Sequence, residues 1–295
     1  MRSDHERHRP VTAGMLTRRR FLGGAVAGAG LFGWTTCIEP HWLQIRQASL
    51  PIVGLPPNLH GKTMVQVSDF HIGATSEEHL LATIDSINQL KPDLLVMTGD
   101  FIDHSFQGAT STIQRIFANL NPASITTLGC LGNHDYGSRW SDTVIADQVT
   151  GALSELGIQV LRDEHVNVDG LDVFGLDDFW SPRYQFRRVL REASASRGSL
   201  CLCHNPDVCD QTIWGDFQGV ILSGHTHGGQ CKPPFLPPPR LPVRNRNYVS
   251  GFYDLDRKRT LYINRGIGYG LKVRFNSRPE ITCFELQRSS DESSV

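Results

Sequence analysis

Five short apolar runs in this chain each end in residues that can bind a hard cation. Residues 64–68 lead into Asp69, Phe70 and His71; residues 94–98 into Gly99, Asp100, Phe101, Ile102 and Asp103; residues 125–131 into Gly132, Asn133, His134 and Asp135. Residues 200–203 lead into His204 and Asn205, and residues 220–222 into Gly224, His225, Thr226 and His227. Alternate residues of an extended segment point the same way, which would let His225 and His227 face one site, although two histidines alone are a weak metal signal. Carboxylate, imidazole and amide donors without thiolate suit manganese, iron or zinc better than a structural cysteine-zinc site. In layered α/β folds the ligand crevice lies outside the carboxyl ends of the strands, so five such ends can converge on one site.

In this order the blocks Asp-x-His, Gly-Asp-x-x-Asp, Gly-Asn-His-Asp, a lone His and Gly-His-x-His resemble the calcineurin-like metallophosphoesterase superfamily, from Asp69 to His227 without a departure. The Gly228-Gly229-Gln230 that follows, together with the leader described below, is similar to the subgroup of bacterial exported or membrane-associated phosphodiesterases. The resemblance implies an α/β fold, a four-layer α-β-β-α sandwich of two mixed sheets, and a centre of two divalent or trivalent metal ions (Mn, Fe or Zn). Two cations about 3.5–4 Å apart need a bridging carboxylate and a bridging water to screen their repulsion, and Asp100 is the best bridge. By resemblance Asp69, His71 and His227 complete one metal site, and Asn133, His204 and His225 complete the other. His134 would act as the acid at the leaving oxygen, with Asp135 beside it keeping the imidazole protonated and oriented. Asp103 would orient a ligand, its alternative being a loop-capping carboxylate. His60, His79, His104 and His165 read as ordinary surface or loop histidines.

The elements that must position these residues alternate between strand and helix. Ser76 can cap a helix with Glu77 and Glu78 in its first turn, an apolar face of Leu80, Leu81, Ile84 and Ile87, and an end forced by Pro92. Ile113, Ile116, Phe117 and Leu120 mark a second helix, and residues 142–156 a third, stopped by Gly157. Residues 171–176 read as a strand, 184–193 as a short surface helix, 249–253 and 260–263 as a hairpin, and 281–286 as the closing strand. Such alternation with late hairpins implies two mixed sheets flanked by helices.

The remaining features concern location and substrate. Residues 1–50 read as a twin-arginine-type signal or membrane anchor: Arg18, Arg19 and Arg20 precede an uncharged run, 21–34, too short to be a confident membrane span. Residues 51–60 read as a linker, 61–288 as the metallophosphoesterase domain and 289–295 as a disordered tail. Export to the periplasm or outer membrane face, or anchoring at a membrane, would follow, with the export machinery as a partner. The net charge of −1 gives no electrostatic case for nucleic acid. Seven cysteines without paired Cys-x-x-Cys motifs argue against a disulfide framework or structural zinc, and Cys201 and Cys203 read as core residues. Residues 240–278 carry ten Lys or Arg against two Asp, and the stiff, partly apolar stretch 233–242 follows the last motif directly. Arg265 or Arg274 is expected near the site. These features fit a phosphodiesterase or pyrophosphatase acting on an envelope or lipid-linked phosphate, with a phosphomonoesterase or a metal-dependent binding protein as alternatives. The resemblance extends to pyrophosphatases of a UDP-linked diacylglucosamine, a substrate expected on the cytoplasmic side and so in conflict with export.

Overall fold

The computed structural model describes residues 18–104, 108–120, 125–182, 184–194 and 197–289. Twelve strands are described: β1 (Gln44–Val53), β2 (Thr63–Val67), β3 (Leu94–Thr98), β4 (Thr126–Cys130), β5 (Gln159–Val160), β6 (Glu164–Val168), β7 (Leu171–Gly175), β8 (Ser199–Leu202), β9 (Gly219–Ser223), β10 (Gly251–Asp254), β11 (Arg259–Ile263) and β12 (Glu280–Ser289). They form two mixed six-stranded sheets, ordered β1-β12-β2-β3-β4-β5 and β10-β11-β9-β8-β7-β6. Strand alternation assigns side chains to layers. In β9, Val220 and Leu222 enter the core between the sheets with Met64, Val96 and Phe284, whereas Ile221 faces outward with Phe174 and Phe217. In β2, Val65 and Val67 face outward under helices α2 (Glu77–Leu90), α3 (Ala109–Phe117) and α4 (Thr143–Ser154). Strands buried on both faces must be apolar throughout, as β3 is. The result is the expected sandwich.

Several local expectations change. Ser76 occupies the position before α2 but its side chain makes no cap; its Oγ lies 3.5 Å from His41 Nε2. Asp142 does cap α4, accepting from Val144 N at 2.9 Å and Ile145 N at 3.3 Å. The expected helix at 184–193 shrinks to α5 (Phe186–Val189) and one 3-10 turn, pinned by Phe186, Val189 and Leu190 in the outer core. So short a helix has no stability of its own and follows its packing.

The domain boundary also moves. β1 pairs parallel to β12 from Gln44↔Glu280 to Val53↔Ser289, and Leu50, Ile52 and Leu55 are at most 1% exposed. Residues 44–50, read as part of the leader, and 51–60, read as a linker, are therefore part of the folded domain. Pro51 is tolerated because β1 is an edge strand, where a missing N–H breaks no ladder. Ser289, expected in the tail, ends β12, and 290–295 lie outside the described residues. Of the leader, residues 1–17 are likewise outside them. Helix α1 (Arg18–Gly33) continues through a π turn and a 3-10 turn, so the helical path Arg18–His41 runs 24 residues, long and apolar enough to cross a membrane by length and composition. The helical path is thus longer than the uncharged run 21–34 read from the sequence.

Candidate metal centre

The carboxyl ends of β2, β3, β4, β8 and β9 converge, and sharp turns aim their side chains. Asp69, His71, Asp100, His225 and His227 all have positive φ, between 46° and 71°. Each such non-glycine residue costs about 1–3 kcal/mol, and strain of this kind concentrates at functional sites. Two glycines make the approach of the loops possible. A Cβ on Gly132 would fall on Asp100 Oδ1, and one on Gly224 would fall on Ser68 Oγ and Asp69 Oδ2.

Two donor sets result. The ligand atoms of Asp69, His71 and His227 lie within 4.8 Å of one another, as do those of Asp100, His204 and His225. Asp100 Oδ2 stands between the sets, 3.0 Å from His204 Nε2 and 3.6 Å from His71 Nε2. His227 Nε2 is 3.2 Å from Asp69 Oδ1 and 3.1 Å from His71 Nε2, while His225 Nδ1 is 3.1 Å from His204 Nε2. The outer ring nitrogens decide which nitrogen faces inward. His204 Nδ1 lies 2.7 Å from Thr98 O and His225 Nε2 lies 2.9 Å from Pro242 O, leaving His204 Nε2 and His225 Nδ1 for a ligand role. Burial pushes the His71 and His225 imidazoles down to about 3, so both are neutral donors at ordinary pH.

The residues present fit metal ions. Asn133 Oδ1 is buried without a hydrogen-bond partner, an arrangement that costs about 1–3 kcal/mol unless a cation or donor meets it. Carboxylate, amide oxygen and imidazole together are donors consistent with a dinuclear metal site.

The surroundings of His134 differ from expectation. Asp135 does not face it: its Oδ1 accepts from Ile102 N at 3.1 Å and its Oδ2 from Gly132 N at 2.8 Å. In the 3-10 turn Asn133–Tyr136 successive side chains diverge by about 120°, so sequence neighbours cannot share a face. Burial, with Asp100 nearby, pushes the Asp135 carboxyl up to about 7. The carboxylate facing His134 is Asp103, whose Oδ1 is 3.6 Å from His134 Nδ1 and 3.8 Å from His71 Nδ1. Burial opposes the charged imidazole, but Asp100 and Asp103 prevail and raise the His134 pKa. His104, read as an ordinary histidine, brings Nδ1 to 3.2 Å from His134 Nδ1.

A sixth strand end also reaches the centre. After β7 come Asp177, Asp178, Phe179 and Trp180; Asp178 is buried and accepts from Trp180 N at 2.8 Å. The Trp180 ring meets His225 edge-on at 4.8 Å and stacks on Trp140 at 4.8 Å. The signal was present in the sequence, since an apolar run ending in two carboxylates repeats the pattern of the other five. Of the two arginines expected nearby, Arg265 turns to Glu280 and Gln44. Arg274 is fully buried and donates to the carbonyls of Arg265, Gly266, Gly268 and Ser277, with Nη2 3.4 Å from His227 Nδ1. The proline stretch supplies the Pro242 carbonyl behind His225, while Phe235 and Leu236 at its tip point outward.

Comparison with known proteins places this geometry among relatives. Residues 62–229, more than half of the chain, match the family described as Calcineurin-like phosphoesterase. The uncharacterized metallophosphoesterase YkuE of Bacillus subtilis is 32% identical over 293 residues, covering 93% of this chain and 99% of YkuE. The phosphodiesterase YaeI of Escherichia coli is 28% identical, covering 92% and 100%. The UDP-2,3-diacylglucosamine pyrophosphatase LpxG of Chlamydia muridarum is 26% identical, covering 84% and 90%.

Proposed function

The chain belongs to the calcineurin-like phosphoesterase family, and from that premise we propose that it hydrolyses a phosphodiester or diphosphate carried by an amphiphilic, membrane-associated molecule. The observation that carries the dinuclear reading is Asp100 Oδ2 standing between His204 Nε2 and His71 Nε2 at 3.0 and 3.6 Å, which divides the donors into two sets sharing one carboxylate. Asp69, His71, Asp100 and His227 would hold one ion, and Asp100, Asn133, His204 and His225 the other. Bound there, the metals supply a Lewis acid for the phosphoryl oxygens and lower the pKa of water toward neutrality.

The chain's own residues do the rest. His134 has Nδ1 turned toward Asp103 and His104, so Nε2 is the nitrogen left to give a proton to the leaving oxygen. Asp103 and Asp100 favour its protonated form, which an acid needs before the bond breaks. A diester or diphosphate substrate is supported by the names of YaeI and LpxG, and a lipid-linked one by LpxG and by α1. Arg18 and Arg19 at the start of α1 support a twin-arginine-type route to the membrane or beyond it.

Metal-analysed protein assayed on bis-nitrophenyl phosphate, nitrophenyl phosphate and UDP-2,3-diacylglucosamine tests the substrate reading. Turnover of the diester above the monoester, and of the lipid diphosphate above both, is expected. Preference for the monoester would replace the reading with a phosphomonoesterase. Fusing residues 1–43 to a reporter active only outside the cytoplasm, with and without Arg18→Lys and Arg19→Lys, tests the route. A reporter that stays inside regardless would remove export and leave the nucleotide-linked substrate on the accessible side.

A further inference from the structure

The apolar helix and the metal centre are joined by a rigid strut. Arg274 N donates to Thr35 O at 2.9 Å, Ser277 N to Glu39 Oε1 at 2.7 Å and Trp34 Nε1 to Glu39 Oε2 at 2.8 Å. The Arg278 guanidinium lies 3.9 Å from the Trp42 ring centroid. Ser277 Oγ then donates to His227 O at 2.7 Å, so the segment that fixes the helix also holds a ligand loop. Helix α1 does not lead into a flexible tether.

Length turns this rigidity into a constraint. Residues 21–33 would span only about 20 Å at ~1.5 Å per residue, short of the ~30 Å hydrocarbon core. The path Arg18–His41 is long enough, but its last part is bolted to the domain. A helix held this way can be immersed over its apolar length only if the domain surface around Trp34 comes down into the headgroup layer.

That surface has the composition for it. A cavity of about 400 Å³ is lined by Trp34, Trp42, Pro234, Phe275, Arg265 and Arg278. Beside it, sharing Asn276, a hollow of about 550 Å³ is edged by Phe235, Leu236, Lys232 and Arg246. Phe235 is fully exposed and Leu271, whose carbonyl accepts from Gln230 Nε2, is 72% exposed. The carboxylates Glu39 and Glu280 are buried here and engaged by Ser277 and Arg265. Apolar tips, tryptophans and cations gathered around these two hollows match the acyl boundary and anionic headgroups of a bilayer.

We propose that this face is a membrane seat: Phe235, Leu236 and Leu271 enter the acyl boundary of an anionic phospholipid bilayer beside α1, while Lys232, Arg246 and Arg278 meet headgroup phosphates. The seat holds whichever phosphoester is cleaved, so its failure and the failure of the hydrolysis reading are separate results. The test uses the full chain carrying Cys37→Ser in phosphatidylglycerol–phosphatidylcholine vesicles, with an environment-sensitive fluorophore on Phe235→Cys, Leu271→Cys or, at the β10–β11 turn, Arg257→Cys, each read against the labelled Cys37→Ser parent. The labels at 235 and 271 are expected to shift to the blue and lose most of their emission to brominated acyl chains, and the label at 257 to behave as in water. Water-like emission at 235 and 271 in vesicles that retain the protein would overturn the proposal. So would a blue shift without lipid that grows with protein concentration, which would assign the face to a second copy of the chain.

Discussion

The two halves of the metal centre hold their imidazoles differently. On one side, His204 and His225 each set the outer nitrogen against a backbone carbonyl, at 2.7 and 2.9 Å. These contacts fix the ring orientations. On the other side, His71 Nδ1 has no hydrogen bond and lies 3.8 Å from Asp103 Oδ1. His227 Nδ1 meets Arg274 Nη2 at 3.4 Å, and a guanidinium offers only donors. That contact favours the lone pair on Nδ1 and the proton on Nε2, the atom facing Asp69. One half has its outer ring nitrogens held by backbone carbonyls, and the other does not.

The largest test of this contrast removes what the halves share. Asp100→Ala should reduce both bound metal and hydrolysis to background, while circular dichroism shows the strands intact, because Asp100 lies beyond β3 rather than in it. Two retained ions would refute the shared ligand. The halves should then separate. His227→Ala is expected to keep one ion and His204→Ala to keep fewer, and in graded chelation of the native protein one ion should leave well before the second. Equal losses from His227→Ala and His204→Ala, measured by metal analysis, would erase the asymmetry.

A smaller effect distinguishes two carboxylates. Asp103→Asn should lower turnover by about 10- to 100-fold, the usual consequence of removing a partner behind a functional histidine, and most severely on poor leaving groups. His134→Gln should show the same leaving-group dependence with both metals retained. Asp135→Asn should act mainly on stability, because Asp135 accepts two backbone N–H groups and does not face His134. Thermal melts and rates measured on both variants decide this; a melt shift for Asp103→Asn without a rate loss would reverse the roles.

What was legible in the sequence follows from where the chemistry sits. The five motifs stand at strand ends, where an apolar run makes its own boundary visible, so the donor residues that converge in the structure and the two-sheet sandwich could be read together. Asp135 was misplaced because adjacency in sequence is not adjacency in space within a 3-10 turn. Asp178 and Trp180 obey the same strand-end pattern but carry no histidine, and Trp140 reaches them from a separate loop. β1 escaped because its pairing with β12 is far away in sequence and because Pro51, with Pro56 and Pro57 beyond the strand, suggests a linker. The strut from Glu39 to Ser277 left no local pattern at all.

The smallest expected effect lies behind the looser half. His79, on α2, is 7% exposed, with Nε2 3.2 Å from Ile267 O. Ile267 N and Gly268 N donate to Ser68 O and Asp69 O, so this histidine supports the loop that backs Asp69. Burial first, then His41 and Arg274, push its pKa down to about 4, against the raising influence of the Ile267 carbonyl. A folded pKa below the unfolded value of about 6.5 means that the unfolded chain binds the extra proton between these values. The stabilisation is complete above about pH 6.5 and is lost as pH falls toward about 4, by roughly 1–3 kcal/mol. His79→Gln keeps a donor for Ile267 O but cannot titrate, so its denaturant midpoint should decline less between pH 6.5 and 4.5 than that of the native chain. If the two decline in parallel, the acid sensitivity belongs elsewhere, and the looser half owes nothing to His79.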